Sequence, residues 1–117
     1  MLAKEHRISK DYHFRRLKNQ GTTVRTKFFL MNYLKNEFGV SRFGFIVTTK
    51  TGNAVERNRA TRVMREAIRL HLAEIKEGYD FAFVLNRSTI KAKTPVVEEV
   101  LLQSLKEHGL LISSNDL

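Results

Sequence analysis

The stretch from Asn53 to about Lys76 constrains the fold of this 117-residue chain more than any other, because it reads as one long helix with two faces that need different surroundings. Asn53 stands three residues before Glu56, a capping-box spacing in which the Asn side chain accepts a helical N–H and the Glu reaches back. At 100° per residue, Asn58, Arg62, Arg65 and Arg69 fall within an arc of roughly 60°. Ala60, Val63, Met64, Ala67 and Leu70 fall on nearly the opposite side, which requires an apolar layer beneath them. Lys50 to Arg69 holds six basic residues against two acidic ones. A solvated charged face usually alternates sign to gain i, i+4 pairs. This stripe is all positive, and each neighbouring pair repels by roughly a few tenths of a kcal/mol. A row of planar guanidiniums, each able to donate two hydrogen bonds to phosphate oxygens, makes a nucleic acid backbone the simplest compensating partner. Composition does not separate RNA from DNA.

The remaining pattern supplies the apolar layer. Ser9 can cap a first helix to about Asn19, with Tyr12, Phe14 and Leu17 as its apolar residues and Gly21 as its stop. Thr23 to Leu34 reads as a strand broken near Arg25 to Lys27, and Asn36 to Gly39 as a turn. Arg42 to Thr49 is a strand in which Phe43, Phe45 and Val47 alternate with Gly44, Ile46 and Thr48. After the long helix, Gly78 precedes an aromatic strand from Tyr79 to Leu85. Thr94 and Pro95 open a last helix with Val97, Val100, Leu101 and Leu105 as its stripe, closed by Gly109. One domain over residues 1–117 is expected, with a flexible N-terminal few residues and a frayed tail after about 111.

Composition narrows the function. Lys and Arg number 21 against 12 Asp and Glu, a formal charge of +9 that favours a polyanionic partner. No run approaches the roughly 18 apolar residues that span a bilayer, so no membrane partner is expected. The charged first ten residues carry no apolar secretion signal, which makes the cytoplasm the expected location. With no cysteine, disulfides, thiolate metal sites and a Cys nucleophile are excluded. The acids are scattered rather than clustered for metal-assisted cleavage, and no phosphate-binding glycine loop or nucleophile elbow is present. His13 reads as a surface residue and His71 as helix-side. No catalytic and no metal-ligating residue is therefore assigned to this chain.

The run Gly52-Asn53-Ala54-Val55-Glu56-Arg57-Asn58-Arg59-Ala60-Thr61-Arg62-Val63-Met64-Arg65-Glu66-Ala67 resembles the arginine-rich signature of the bacterial ribonuclease P protein family. The early Phe14 before Gly21, the strand Arg42-Phe43-Gly44-Phe45-Ile46-Val47 ahead of Lys50, and the later aromatic strand occur in that family's order. The resemblance covers roughly Arg7 to Leu105. It implies an α+β fold of order α-β-β-β-α-β-α, with a central mixed sheet, packed helices and a left-handed βαβ crossover, the type named after the second domain of a small-subunit ribosomal protein. General sequence rules alone would give a right-handed crossover.

The resemblance also implies a role as the protein subunit of an endoribonuclease holoenzyme that removes the 5′ leader of precursor tRNA. Its partners would be the ribonuclease P RNA and precursor tRNA, with no obligate protein partner. Hydrolysis would be carried out by Mg2+ held mainly by the RNA subunit. By that resemblance Arg57, Asn58, Arg59, Arg62, Arg65 and Arg69 would contact the RNA subunit. Phe14, Lys18, Phe29, Phe45, Lys50 and Asn58 would line a cleft for the leader, and Lys4 and Arg7 would extend its electropositive rim. Lys18 stands where many members carry a second aromatic in the first helix and Asn32 where some carry a Tyr, and Thr49 and Thr61 stand where basic residues are common. Three rivals remain weaker. The strand Arg42 to Val47 only partly matches the aromatic strand of an RRM, a protein-only nuclease lacks its carboxylates, and a ribosomal or general RNA-binding protein shares charge and size but not the ordered signature.

Overall fold

Strand alternation gives the sheet two apolar faces with different occupants. The computed structural model describes residues 2–112. It contains helix α1 (Asp11–Gln20), strands β1 (Thr22–Arg25), β2 (Phe29–Lys35) and β3 (Arg42–Ile46), helix α2 (Ala54–Leu70), strand β4 (Tyr79–Leu85), a single turn α3 (Ser88–Lys91) and helix α4 (Thr94–Glu107). The strands form one sheet in the order β1-β2-β4-β3. β1 with β2 and β2 with β4 are antiparallel, while β3 and β4 run parallel and are joined through α2. The α-β-β-β-α-β-α order is thus the observed one, with α3 added before the last helix.

Phe29 and Met31 of β2, Phe43 of β3 and Phe81, Phe83 and Leu85 of β4 are buried on one face. They meet Ala60, Met64, Ala67 and Ile68 of α2 and Val97, Leu101 and Leu105 of α4 in the main core. Each fully buried Phe or Leu contributes about 1.5–3 kcal/mol of transfer free energy, so this face carries most of the fold. The other face holds a smaller cluster in which Leu17 and Phe14 of α1 pack with Ile8, Leu34 and Ala82. The sheet is therefore sandwiched, with α2 and α4 on one side and α1 on the other.

Several expected boundaries shift, each for a local reason. The break near Arg25 to Lys27 is a hairpin turn held by Thr26, whose hydroxyl donates to the Phe29 carbonyl at 2.9 Å and accepts from the Phe28 and Phe29 N–H groups. α1 begins at Asp11 behind Lys10, and Ser9 provides no cap. Tyr12, expected on the apolar face of α1, is 59% exposed. β3 ends at Ile46, because Thr51 draws the chain round by accepting from the Thr48 N–H and donating to the Leu85 carbonyl. The capping box of α2 forms in both directions, each bond 2.9 Å. α2 stops at Leu70 rather than near Lys76, with His71 as its C-cap. Leu70 is 48% exposed and Ile68 takes its expected place in the core.

Among the described N-terminal residues Leu2 and Ile8 are buried, while Ala3, Lys4, Glu5 and Arg7 are exposed. Leu2 is 2% exposed, and the Ile8 N–H donates to the Phe43 carbonyl at 2.9 Å along the β3 edge. At the other end Leu111 bridges Ile75 and the Ile112 N–H donates to Glu74, so the chain is held through residue 112. The rest of the expected frayed tail lies outside the described residues.

Candidate nucleic-acid interface

The exposed face of α2 is the first candidate surface. The capping box fixes where α2 starts, and burial of Ala60, Met64, Ala67 and Ile68 fixes its rotation. Asn58, Arg59 and Arg62 then line a shallow groove of about 440 Å³ with Val55 and Val63. Arg59 and Arg62 are exposed. The other arginines of α2 are engaged within the fold. Arg57 donates from Nη1 to the Gly52 carbonyl at 3.1 Å. The guanidinium of Arg65 lies over the Phe45 ring, 5.8 Å from its centroid. Arg69 makes two hydrogen bonds to Glu66. That hydrogen bonding raises the Arg69 pKa and lowers that of Glu66. The uninterrupted positive stripe is thus shortened at its C-terminal end, where Glu66 answers one of its charges.

The second candidate surface lies across the sheet, beside α1. A cleft of about 470 Å³ is walled by Phe14, Arg15 and Lys18 of α1 and by Thr23 and Arg25 of β1, and floored by Leu30, Asn32, Ile46, Ala82 and Val84. Phe14 is half-buried. Its ring rests against Gly44, where a Cβ would come within 2.5 Å of Phe14 Cε1 and Cζ. Phe14 is therefore both a packing residue and a wall of the cleft. Asn32 is held by the Thr23 hydroxyl, which donates to its Oδ1 at 2.7 Å. Three basic side chains, one aromatic edge and an apolar floor match what a single-stranded nucleic acid needs: positive charge along the backbone path and flat apolar surface for bases.

The structure brings Phe14 and Lys18 together and separates the other residues expected beside them. Phe29 is 1% exposed in the main core, with its ring 5.3 Å from that of Phe83. Phe45 lies on that same face, packed against Phe83 and beneath Arg65. Neither lines the cleft, because both have the sheet parity opposite to Leu30 and Ile46. Asn58 belongs to the α2 groove, on the far side of the sheet from the cleft. Lys50 is exposed in the turn after β3 and lines neither surface; its N–H donates to Thr48. Lys4 and Arg7 are exposed beside β3, where Arg7 bridges Phe43. The cleft residues missed from sequence are Arg15 of α1 and the strand residues Thr23, Arg25, Leu30, Ile46, Ala82 and Val84, which share one parity on their strands with Asn32, a signal that was present.

A polar network supports the far end of α1. Arg42 donates from Nε to Asp80 Oδ1 at 2.8 Å and from Nη2 to Oδ2 at 2.7 Å. Burial alone would raise the Asp80 pKa, but hydrogen bonds from Arg42 and Asn36 outweigh it and hold the carboxyl below its ordinary range. Arg42 Nη2 also donates to His13 Nδ1 at 3.3 Å. Burial and then the Arg42 charge lower the His13 pKa, favouring its neutral ring. Among the described residues no group of three or more His, Asp or Glu side chains is placed to hold a metal ion, and no helix is long and apolar enough to cross a membrane.

Comparison with known proteins gives the family of the chain and relatives of its fold. The family described as Ribonuclease P matches residues 2–109. The Ribonuclease P protein component of Pelotomaculum thermopropionicum is 39% identical over 99 residues, covering 85% of this chain and 88% of that protein. That of Alkaliphilus oremlandii is 30% identical over 109 residues, covering 93% and 96%. Among solved structures, the RNase P protein of Staphylococcus aureus superposes with a TM-score of 0.80 at 28% identity, covering 92% of this chain and 98% of that one. The RNase P protein from Thermotoga maritima gives 0.78 at 27% identity, covering 86% and 96%.

Proposed function

The chain belongs to the ribonuclease P protein family, and from that premise we propose that it binds a catalytic RNA through α2 and the 5′ leader of precursor tRNA through the α1 cleft. It acts in tRNA processing as the protein subunit of an endoribonuclease holoenzyme. The observation that carries this reading is the pairing, on one small chain, of an arginine groove at Asn58, Arg59 and Arg62 with a basic cleft at Phe14, Lys18 and Arg25 on the other side of the sheet. Two separated cationic surfaces suit a protein that holds two RNA elements at once. Arg57 and Arg65, engaged with Gly52 and Phe45, flank the groove and set its edge, and Arg69 contributes less because Glu66 already pairs with it.

The chain's contribution is charge neutralisation, leader capture and positioning. The Mg2+ of the reaction is assigned to the RNA partner, and no step of phosphodiester hydrolysis is given to a side chain of this protein. The cytoplasm is the proposed location.

The test is cleavage of precursor tRNA by a bacterial ribonuclease P RNA at low Mg2+, where RNA phosphates are least screened, with and without this protein. Wild type is expected to stimulate strongly, and an Arg59→Ala, Arg62→Ala double variant is expected to lose most of that stimulation. Binding of the RNA without stimulation would replace this reading with a general or ribosome-associated RNA-binding role.

A further inference from the structure

Two large aromatic side chains stand exposed on either side of His13, outside the cleft. Tyr12 is 59% and Phe38 56% exposed. They lie at the other end of the same sheet face. Along β4, Val84 floors the cleft, Ala82 packs under Leu17 of α1, and Asp80 holds Arg42 beneath His13. Four residues of strand separate the two ends by about 13 Å, with α1 lying between them.

The loop that presents Phe38 is pinned rather than loose. Asn36, 7% exposed, donates from Nδ2 to Asp80 at 2.8 Å and to the Val40 carbonyl at 3.0 Å, while its Oδ1 accepts the Phe38 N–H at 2.9 Å. Gly39 takes a φ of +76°, which turns the chain back toward β3. The Arg42 guanidinium, locked by Asp80, lies 4.2 Å from the Phe38 centroid and covers one face of the ring. His13 meets the same ring edge-on at 6.4 Å, and Tyr12 stacks obliquely on His13 at 4.1 Å. The uncovered face of Phe38 and the Tyr12 ring remain open to solvent.

We propose that Tyr12, His13 and Phe38 form a second stacking site, separate from the cleft, for an unpaired nucleobase of single-stranded RNA. A pre-positioned aromatic face is the recognition element for a flat base, and it tolerates any sequence. The charge around the site selects among flat ligands. Lys10 and Arg16 act electrostatically on His13 from α1 and its cap, so a cationic ligand is repelled and the phosphates flanking a base are attracted. Among the nearby carboxylates, Asp80 is committed to Arg42 and Asn36 and Glu77 accepts the Ser41 N–H, while the exposed Asp11 and Glu37, chain neighbours of Tyr12 and Phe38, stand against Lys10, Arg16 and Arg42. A second copy of this chain is a poor occupant, because each carries a formal charge of +9. The inference rests on the reading of this chain as an RNA-binding subunit and adds a third contact to it.

The chain has no tryptophan, so Phe38→Trp places a single tryptophan at the site, which is excited selectively over the three tyrosines at the red edge of their absorption. The protein is titrated with a five-nucleotide oligoadenylate and with an abasic ribose phosphate of equal length and charge. Stacking is expected to quench the tryptophan with the oligoadenylate alone, and Tyr12→Ala in the same background is expected to weaken that titration about fivefold or more. Equal quenching by the abasic chain, no quenching, or a titration unchanged by Tyr12→Ala would each overturn the site. The low-Mg2+ cleavage assay separates the two readings. Stimulation by wild type with no oligoadenylate quenching defeats this inference alone. Quenching on a protein that does not stimulate defeats the subunit reading and leaves the stacking site standing. Within the holoenzyme, an effect of Phe38→Leu confined to leader-bearing precursor assigns the base to the leader, and weaker binding of the catalytic RNA alone assigns it there.

Discussion

Phe14 is positioned by a residue it never touches in sequence. Its ring fits against β3 only because position 44 has no side chain; a Cβ there would sit 2.5 Å from the ring and 3.1 Å from Ile8 Cβ. Gly44→Ala must therefore lift α1 or swing Phe14 into the cleft. Overpacking of this kind costs about 1–3 kcal/mol, which denaturant unfolding would register as a lower midpoint at unchanged slope. Residues in contact are not additive, so Phe14→Leu should offset part of the loss in the double variant. Equal losses with Phe and Leu at position 14 would show that the ring does not set the fit. Phe14 itself was legible as a cleft residue, from its place before Gly21 and the family resemblance. The partnership with Gly44 was not, because it depends on a contact thirty residues away. Phe29 and Phe45 were misplaced for a related reason: strand parity tells which residues share a face, and Leu30, Asn32 and Ile46 do share one, but nothing local says which face α1 covers.

At the scale of elements, the C-cap residue of α2 is tied to α4 by a long-range contact. His71 Nε2 meets Glu98 of α4 at 2.7 Å while Nδ1 meets Glu74, an arrangement that favours the imidazolium, which donates from both ring nitrogens. Glu98 chiefly, then Glu74, raises the His71 pKa above 6.5 against the opposing effect of burial. A histidine whose folded pKa is raised binds its proton more tightly folded than unfolded, so its stabilisation is fully present below pH 6.5 and is lost as pH rises through the folded value. Wild type should therefore lose stability relative to His71→Gln as pH is raised from about 6 to 9, with the variant about 1–3 kcal/mol less stable at the acidic end. His13 carries the opposite sign, since its pKa is lowered. Paired thermal unfolding of wild type and His71→Gln across the range isolates His71, and a constant difference between the two curves would remove the imidazolium from the account. Sequence placed the end of α2 near Lys76 because Gly78 reads as the stop of the helix. Glu98, which meets the C-cap residue His71, is 27 residues further on. The start of α2 was legible because a capping box is entirely local.

Across the whole molecule, the order of elements followed from patterns within each segment, while the placement of charge emerged only on folding. The sheet sets the α2 groove and the α1 cleft on opposite sides, so one RNA duplex cannot lie flat on both. Charges of the same formal kind then carry unequal weight. Arg59 and Arg62 face solvent, and Arg69 is hydrogen-bonded twice to Glu66. Each phosphate neutralised by a free cation steepens the salt dependence of RNA affinity by about 0.7–0.9 in the log–log slope. Removing Arg59 and Arg62 together should therefore flatten that slope by about 1.4–1.8. Arg69→Ala should change it less than Arg62→Ala, because Glu66 competes with phosphate for the same guanidinium. Phe38→Leu and Phe14→Leu remove no charge and should leave the slope unchanged even where they weaken binding. The measurement is affinity for the catalytic RNA at a series of salt concentrations, one variant at a time. Equal flattening by Arg62→Ala and Arg69→Ala would mean that RNA binding breaks the Glu66 pair and extends the contact to the end of α2. Flattening by neither would move the RNA contact off α2 and onto the cleft side, where Arg15, Lys18 and Arg25 would have to supply the charge.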